Sequence, residues 1–202
     1  MNLTFCVKYF DFIDFLSTLP PDITTKMNID TKISLYLERI GYNDNVEVSL
    51  KCLRKLQECH QSRVPFENLD VFTGRKKVLD NEILFEQIVI KRRGGWCHEL
   101  NGLFCWLLQN LGFETRIVSC QYCDRATQIF REDTFDHMAL IVDIENMKYL
   151  VDVGFGFPNQ HFKPIEMCVL KTFKQVCKFP IFFQATMLSL RFENKNNSTY
   201  NS

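Results

Sequence analysis

Three residues that can cooperate in nucleophilic catalysis lie far apart in this chain: Cys97, His137 and Asp152. Cys97 follows two glycines and a tryptophan in RRGGWCHELNGLF (92–104), at the predicted start of a helix. Free backbone N–H groups at a helix N-terminus lower the pKa of a thiol and make it a better nucleophile. Such a nucleophile also needs a base, a group that orients the base, and donors for the oxyanion. The three side chains and the helix N–H groups supply these parts if folding brings them together.

The histidine and the aspartate lie on two predicted strands joined by a tight turn. The segments HMALIVDI and MKYLVDVGF flank Glu145–Asn146, which is typical of a two-residue β-hairpin turn. This turn places His137 opposite Gly154 and makes Asp152 its diagonal neighbour, about 7–8 Å away on the same face of the sheet. Asp152 can then accept a hydrogen bond from the imidazole. An odd-length turn would place the two side chains on opposite faces.

Each of the three residues also has an ordinary structural interpretation. In a chain with nine cysteines, a cysteine at a helix start is more often structural than reactive. A histidine that begins an apolar strand is more often a core or surface residue than a catalyst. Asp152 is the most informative of the three, because a carboxylate within LVDVG is expensive to bury unless it is paired. Patterning alone leaves the catalytic and the structural interpretations open.

Four predicted helices precede the strands and position the cysteine. Apolar residues recur at helical spacing, and glycines at positions 41 and 112 end the first and the fourth helix. The second helix ends before Pro65, and the third ends in a basic turn at Lys91–Arg93. The residues predicted to face inward are Ile33, Leu37 and Ile40; Leu50, Leu53 and Leu56; Ile83, Leu84, Gln87 and Ile88; and Leu100, Leu103, Phe104, Leu107, Leu108 and Leu111. The predicted strands cover 115–122, 137–144 and 147–155.

The composition narrows the class of protein. The hydrophobic content of 46% and the charged content of 24% are ordinary for a globular protein. Lys plus Arg equals Asp plus Glu at 24 each, so nothing favours nucleic acid or an anionic membrane as partner. Nine irregularly spaced cysteines indicate reduced thiols and a cytoplasmic protein. Cys120 and Cys123 form one pair without a second, so no metal site is predicted.

Several stretches together resemble one enzyme family. RGGWCHELNGLF (93–104) is similar to the active-site signature of the arylamine N-acetyltransferases, in which an Arg-Gly-Gly-aromatic-Cys run opens the helix of the nucleophile. FDHMALIV (135–142) falls where the family keeps its catalytic histidine. The other matching stretches are YLERIGY (36–42), VPFENLD (64–70) and VDVGFG (151–156). The resemblance covers about Met27 to Pro164.

The resemblance implies a fold and a reaction. The expected fold is α+β, with an N-terminal helical bundle followed by an antiparallel β-sheet or barrel domain and a cysteine-proteinase-like arrangement of the triad. Cys97 is implied to be the acyl acceptor, His137 the general base and acid, and Asp152 the orienting carboxylate. Acetyl-CoA is the implied co-substrate. In a ping-pong reaction, an aromatic amine or hydrazine then takes the acetyl group from the acetyl-cysteine.

The resemblance also assigns binding residues. Phe66 and Phe155 match aromatic positions that line the acceptor pocket of the family. Asp133 and Thr134 fall where the chain of the family touches coenzyme A. The implied partners are small molecules, with no nucleic acid and no membrane, and the protein is expected to be a monomer.

Two further residues, Arg93 and Glu99, are implied to buttress the loop before the nucleophile. They flank Cys97 in the sequence, with one on each side.

The same comparison predicts a division of the chain into four parts. These are an N-terminal extension (1–26), a helical domain carrying the nucleophile (27–112), a β domain carrying His and Asp (113–168) and an atypical short C-terminal tail (169–202). After FKPIEM (162–167) we find no family pattern, and most of the third domain of the family is expected to be missing, which predicts weak or absent turnover. Two alternatives stay open: a Cys-His-Asp thiol hydrolase, and a catalytically silent remnant that acts by binding.

Overall fold

The part of the chain that the structure describes folds as helices followed by a small sheet. The structure is a computed structural model, and it describes residues 27–74, 78–120, 137–156 and 162–167. The helices are α1 (Ile29–Ile40), α2 (Leu50–Arg63), α3 (Leu69–Phe72), α4 (Asn81–Phe85) with a π-helical continuation (Glu86–Ile90), and α5 (Cys97–Asn110). The strands are β1 (Glu114–Cys120), β2 (His137–Ile144), β3 (Met147–Val151) and β4 (Ile165–Glu166). All pairings are antiparallel in the order β1-β2-β3-β4.

The first two helices end as the sequence predicts. Gly41 takes the left-handed conformation at φ 64°, and its N–H donates to the carbonyl of Glu38 at 2.9 Å. In α2, the Ser49 hydroxyl accepts from the Cys52 N–H at 3.3 Å at the N-terminus, and the helix stops before Pro65.

The third predicted helix differs from the expectation. The α-helical part ends at Phe85, and the chain continues through a wider π-helical turn. Its inward face carries Phe85 and Val89 beside Leu84 and Ile88, whereas Ile83, predicted to be in the core, is 50% exposed. The pairs at 84/88 and 85/89 form the apolar stripe, which leaves Ile83 at its solvent edge.

The fourth predicted helix and the hairpin agree closely with the structure. Helix α5 begins at Cys97 and buries its apolar stripe completely at Leu100, Leu103 and Leu107. Glu145 and Asn146 form the turn with positive φ, and Ile144 pairs with Met147. The even-length turn and the resulting register are therefore confirmed.

Three other features of the structure were not predicted. Strand β3 ends at Val151, before Asp152, and β4 and the short α3 were not predicted from sequence. Strand β3 stops because side chains, and not a neighbouring strand, take the next backbone groups. The Val153 N–H donates to Asn101 Oδ1 at 2.9 Å, and the Gly154 N–H donates to Asp152 Oδ1 at 2.8 Å.

Strand β2 is buried on both faces and joins two apolar clusters. Leu140 and Val142 belong to the main core, which the helices share. Ala139 and Ile141 belong to a smaller cluster on the other face, together with Cys120. The predicted α+β class with an antiparallel sheet is confirmed. Within the described residues, no helix is long and apolar enough to cross a membrane.

Candidate active site

The two glycines before Cys97 let the loop lie against a neighbouring segment. The Gly95 N–H donates to the Pro65 carbonyl at 3.3 Å, and the Glu67 N–H donates to the Gly95 carbonyl at 2.9 Å. A Cβ atom on Gly94 would lie 2.0 Å from the Pro65 carbonyl oxygen, so a side chain does not fit there. This close backbone approach fixes the point at which α5 begins, and with it the position of Cys97.

Charged side chains fix the same loop from both sides. Arg93 forms ion pairs with Glu67 at 2.7 Å and with Asp70 at 3.0 Å. On the other side, the Glu99 carboxylate accepts from the Trp96 N–H at 3.1 Å and so caps the start of α5. These contacts agree with the buttressing role expected for Arg93 and Glu99.

His137 and Asp152 meet across the end of the hairpin. The distance between His137 Nε2 and Asp152 Oδ2 is 2.5 Å, and both side chains are about nine-tenths buried. The second carboxylate oxygen, Oδ1, accepts from the Asn101 side chain at 2.9 Å and from the Gly154 N–H at 2.8 Å. Since three donors fix the carboxylate, Asp152 holds the imidazole by Nε2 and leaves Nδ1 for the sulfur of Cys97.

Asn101 is a site residue that the sequence analysis missed. Its Nδ2 donates to Asp152 Oδ1 and to the Met138 carbonyl at 2.7 Å, and its Oδ1 accepts from the Val153 N–H. It lies one turn after Cys97 on α5, so this single amide joins α5 to β2 and to the segment that follows β3. The available signal was a polar residue within the buried stripe of an otherwise apolar helix.

The main chain of Asp152 is held as firmly as its carboxylate. Its carbonyl accepts from the amides of Gln57 at 3.2 Å and Gln61 at 2.8 Å, both on α2. On the other side of the hairpin end, a Cβ atom on Gly154 would lie 2.7 Å from Cys97 Cα. The absence of a side chain there allows the hairpin to approach the start of α5.

The environment of Cys97 favours the thiolate. Burial acts to raise the pKa of the thiol, but hydrogen bonds from His137 and His98 outweigh it and lower the pKa to about 6. Two other buried thiols, Cys105 and Cys120, show the opposite behaviour, because burial raises the pKa of each to about 12. Cys97 is therefore set apart from these buried cysteines by its two imidazole neighbours.

The environment of His137 favours the charged imidazolium. Burial acts to lower its pKa, but the hydrogen bonds with Asp152 and Cys97 raise it to about 9. Between about pH 6 and pH 9 the two groups form a thiolate–imidazolium pair. This pair supplies a nucleophile that is ionised near neutral pH and an adjacent proton carrier.

Of the two predicted aromatic residues, Phe155 contacts His137, whereas Phe66 lies near Gly156. Phe155 packs edge-on against the His137 ring, with the ring centroids 4.9 Å apart. Phe66 is 44% exposed and lies 3.6 Å from the position that a Cβ on Gly156 would take. Asp133 and Thr134, the residues predicted to touch coenzyme A, fall outside the described residues.

The described cysteines and acidic residues give no sign of a metal centre. Cys52, Cys59, Cys97, Cys105 and Cys120 are free thiols. Across the described ranges, no group of three or more His, Cys, Asp or Glu side chains has the arrangement to hold a metal ion.

A sequence model of one protein family matches most of the chain. It is described as N-acetyltransferase and matches residues 49–199. The match continues past 162–167, so the expectation that no family pattern follows this segment is wrong. The motifs recognised in the sequence are short runs around reactive groups, whereas a family model sums weak preferences over many positions.

Individual relatives agree with this match. The chain is 36% identical over 156 residues to arylamine N-acetyltransferase 2 of Mesocricetus auratus, covering 76% of this chain and 52% of the relative. The arylamine N-acetyltransferase of Salmonella typhimurium superposes with a TM-score of 0.63 at 32% identity, covering 68% of this chain and 49% of that one. An arylamine N-acetyltransferase of Bacillus cereus, described as having a unique Cys-His-Glu catalytic triad, superposes with a TM-score of 0.61 at 29% identity, covering 69% and 54%.

The sequence relatives and the solved structures are each matched over part of their length only. The chain spans about half the length of the curated relatives and solved structures that it matches. Within that half lie the loop–helix unit that carries Cys97 and the hairpin that carries His137 and Asp152. By its sequence match over most of its length and its similarity to these enzymes, the chain belongs to the arylamine N-acetyltransferase family.

Proposed function

We propose that this chain transfers an acetyl group from acetyl-CoA to the nitrogen of an aromatic amine or hydrazine through an acetyl-cysteine at Cys97. The observation that supports this most strongly is the thiol itself. Cys97 has a pKa of about 6 although it is buried, because imidazole groups hydrogen-bond to its sulfur. Buried thiols without such partners are poor nucleophiles at neutral pH.

The three residues take separate roles in this proposal. The Cys97 thiolate attacks the thioester carbonyl, the bond to the sulfur of coenzyme A breaks, and coenzyme A leaves with a proton from His137. The amine then attacks the acetyl-cysteine and gives a proton to His137, while the carbon–sulfur bond breaks and the thiolate returns. Asp152 keeps Nε2 of the imidazole engaged throughout, so Nδ1 carries the moving proton.

The surroundings of the sulfur suit acyl transfer. Free N–H groups at the start of α5 provide donors for the oxyanion in each step. The thioester formed on Cys97 stays activated toward a weakly basic amine. The Cys-His-Glu triad described for the Bacillus cereus enzyme supports a carboxylate as the third member, here the aspartate at 152. A cysteine-proteinase-like arrangement of the three residues is part of the proposal.

The binding residues are proposed separately from the catalytic ones. Phe155, packed against the His137 ring, and Phe66, near Gly156, are proposed to border the acceptor amine. Asp133 and Thr134 remain predicted contacts of coenzyme A, and the helical and β domains remain a predicted division of the chain. A monomer acting on small molecules is proposed, with neither nucleic acid nor membrane as partner.

The experiment is an intact-mass measurement after incubation of the full chain with acetyl-CoA. We expect the addition of one acetyl group, mapped to Cys97 by peptide mass spectrometry and discharged when an arylamine is added. Cys97→Ser should gain no acetyl group, whereas the matched control Cys120→Ser, which removes a buried thiol of high pKa, should label like the wild type. Acetylation of the Cys97→Ser protein, or a wild-type chain that stays unmodified, would refute the proposal.

A further inference from the structure

A second imidazole, that of His98, contacts the sulfur of Cys97. His98 Nδ1 is 3.2 Å from Cys97 Sγ, within hydrogen-bonding distance for sulfur. The His98 ring is half-buried and stacks on Trp96, with the ring centroids 4.4 Å apart and the planes tilted by 33°. The reaction proposed above uses His137 and Asp152 and leaves this ring without a role.

The contact between His98 and Cys97 is not a default of helix geometry. Side chains of adjacent helical residues project about 100° apart and do not face each other. The imidazole reaches the sulfur because its ring folds back over the residue before the cysteine, where the indole of Trp96 supports one face. The Trp96-Cys97-His98 tripeptide therefore builds a ring platform that directs Nδ1 at the sulfur.

We propose that His98 is a second catalytic imidazole, whose Nδ1–H donates a hydrogen bond to the sulfur of Cys97 whenever that sulfur carries negative charge. This inference rests on the proposed role of Cys97 as nucleophile. In this inference, His98 stabilises both the resting thiolate and the thiolate that forms when an acetyl group leaves Cys97. A hydrogen bond to an ionised group is stronger than one to a neutral group, so the contact favours the thiolate over the acetyl-cysteine.

The two imidazoles then have different roles in the reaction. His137 exchanges protons, since Nε2 is held by Asp152 and Nδ1 gives or takes the proton of the amine or of coenzyme A. His98 keeps its proton. When the tetrahedral adduct collapses, the carbon–sulfur bond breaks, its electron pair returns to sulfur, and the Nδ1–H of His98 bonds to it without transfer. No oxidant or further reactant is required.

The other ionisable side chains around the start of α5 come from three elements. His137 and Asp152 approach from the hairpin and Cys120 from β1, while the Glu99 carboxylate on α5 accepts from the Trp96 N–H. His98 and His137 both lower the pKa of Cys97. A variant of His98 therefore leaves the Asp152–His137 pair in place and changes one of the two donors only.

The test uses two variants that separate the donor from the ring. His98→Phe keeps a ring to stack on Trp96 and removes the donor, whereas His98→Asn places an amide N–H near the position of Nδ1 and removes the ring. The rate of alkylation of Cys97 by iodoacetamide is followed against pH by peptide mass spectrometry. His98→Ala serves as the donor-free variant if phenylalanine does not fit.

The expected result is a shift of the alkylation midpoint. The wild-type midpoint should lie at about pH 6. His98→Phe should raise it by about one pH unit, and His98→Asn should return it to within a few tenths of the wild-type value. An unchanged midpoint in His98→Phe would overturn the inference, and so would an equal rise in both variants, because a retained donor would then make no difference.

The same samples separate this inference from the proposed function. A wild-type chain that acetyl-CoA does not acetylate, but whose alkylation midpoint still depends on His98, would refute the transfer reaction and support the second donor. Acetylation and discharge at wild-type rates in His98→Phe, with an unchanged midpoint, would support the transfer reaction and overturn the second donor.

Discussion

Replacing His137 with glutamine is expected to lower the rate of Cys97 acetylation by roughly 10⁵-fold. The substitution removes the group that accepts the proton of the thiol and returns it to the leaving group, and of the two imidazoles it removes the one that lowers the pKa of the thiol more. Burial then acts on Cys97 with only His98 opposing it, so the pKa of the thiol rises. The measurement is single-turnover acetylation by acetyl-CoA, followed by intact mass.

The matched control for this variant is the next residue on β2. Met138→Leu keeps the volume of a buried side chain, and its backbone carbonyl still accepts from Asn101. It should acetylate at close to the wild-type rate. Wild-type acetylation in His137→Gln, with the protein folded as judged by its thermal melt, would remove His137 from the mechanism.

Replacing Asp152 with asparagine is expected to lower the acetylation rate by about 10⁴-fold. The remaining oxygen at Oδ1 still accepts from Asn101 and from the Gly154 N–H, and these two donors fix the orientation of the new amide. Its NH₂ group must then face His137 Nε2 and donate to it. The imidazole proton is forced onto Nδ1, so that nitrogen can no longer accept the proton of the thiol.

Asp143→Asn is the control for the change of charge. Asp143 lies on the same hairpin but forms ion pairs with Lys148 and Arg116, away from the site. It should leave the acetylation rate within a few-fold of the wild type, since ion pairs of this kind contribute little. Equal losses in Asp152→Asn and Asp143→Asn would show that the hairpin responds to lost charge in general and that Asp152 has no special part.

The part of the site that depends on strand register could be predicted from local sequence patterns. The period of the hairpin and its two-residue turn determine which residues share a face, so the meeting of His137 and Asp152 followed from counting positions. The start of α5 followed in the same way from the apolar stripe and from the glycines before Cys97. These features depend on neighbours in the sequence, which is why they were predictable.

The rest of the site depends on contacts between segments that are distant in the sequence, and it was not predicted. Asn101 joins α5 to the hairpin through three hydrogen bonds, and no spacing rule marks it as more than a polar residue in an apolar helix. Ile83 was misplaced because α4 continues as a π-helical turn that helical periodicity does not anticipate. Strand β3 was predicted too long because the amide of Asn101 takes a backbone group that a longer strand would have used.

The burial of Arg39 in the core is another feature that the sequence alone does not predict. It lies on α1 within a segment that predicts a helix correctly, yet its guanidinium is buried and donates to the carbonyls of Ile88 at 2.9 Å and Arg63 at 2.7 Å. An arginine in a helix is normally expected at the surface. Its burial is explained only by carbonyl groups that other elements bring to it.

The central claim is that Cys97 rests as a thiolate beside a charged His137. The most direct test is the ultraviolet absorbance of the thiolate, taken as the difference between the wild type and Cys97→Ser across a pH titration. Because the pKa of Cys97 is lowered, the thiolate should persist as the solution is acidified and disappear with a midpoint at about pH 6. A midpoint near 8.5, the value of an ordinary thiol, would contradict the account.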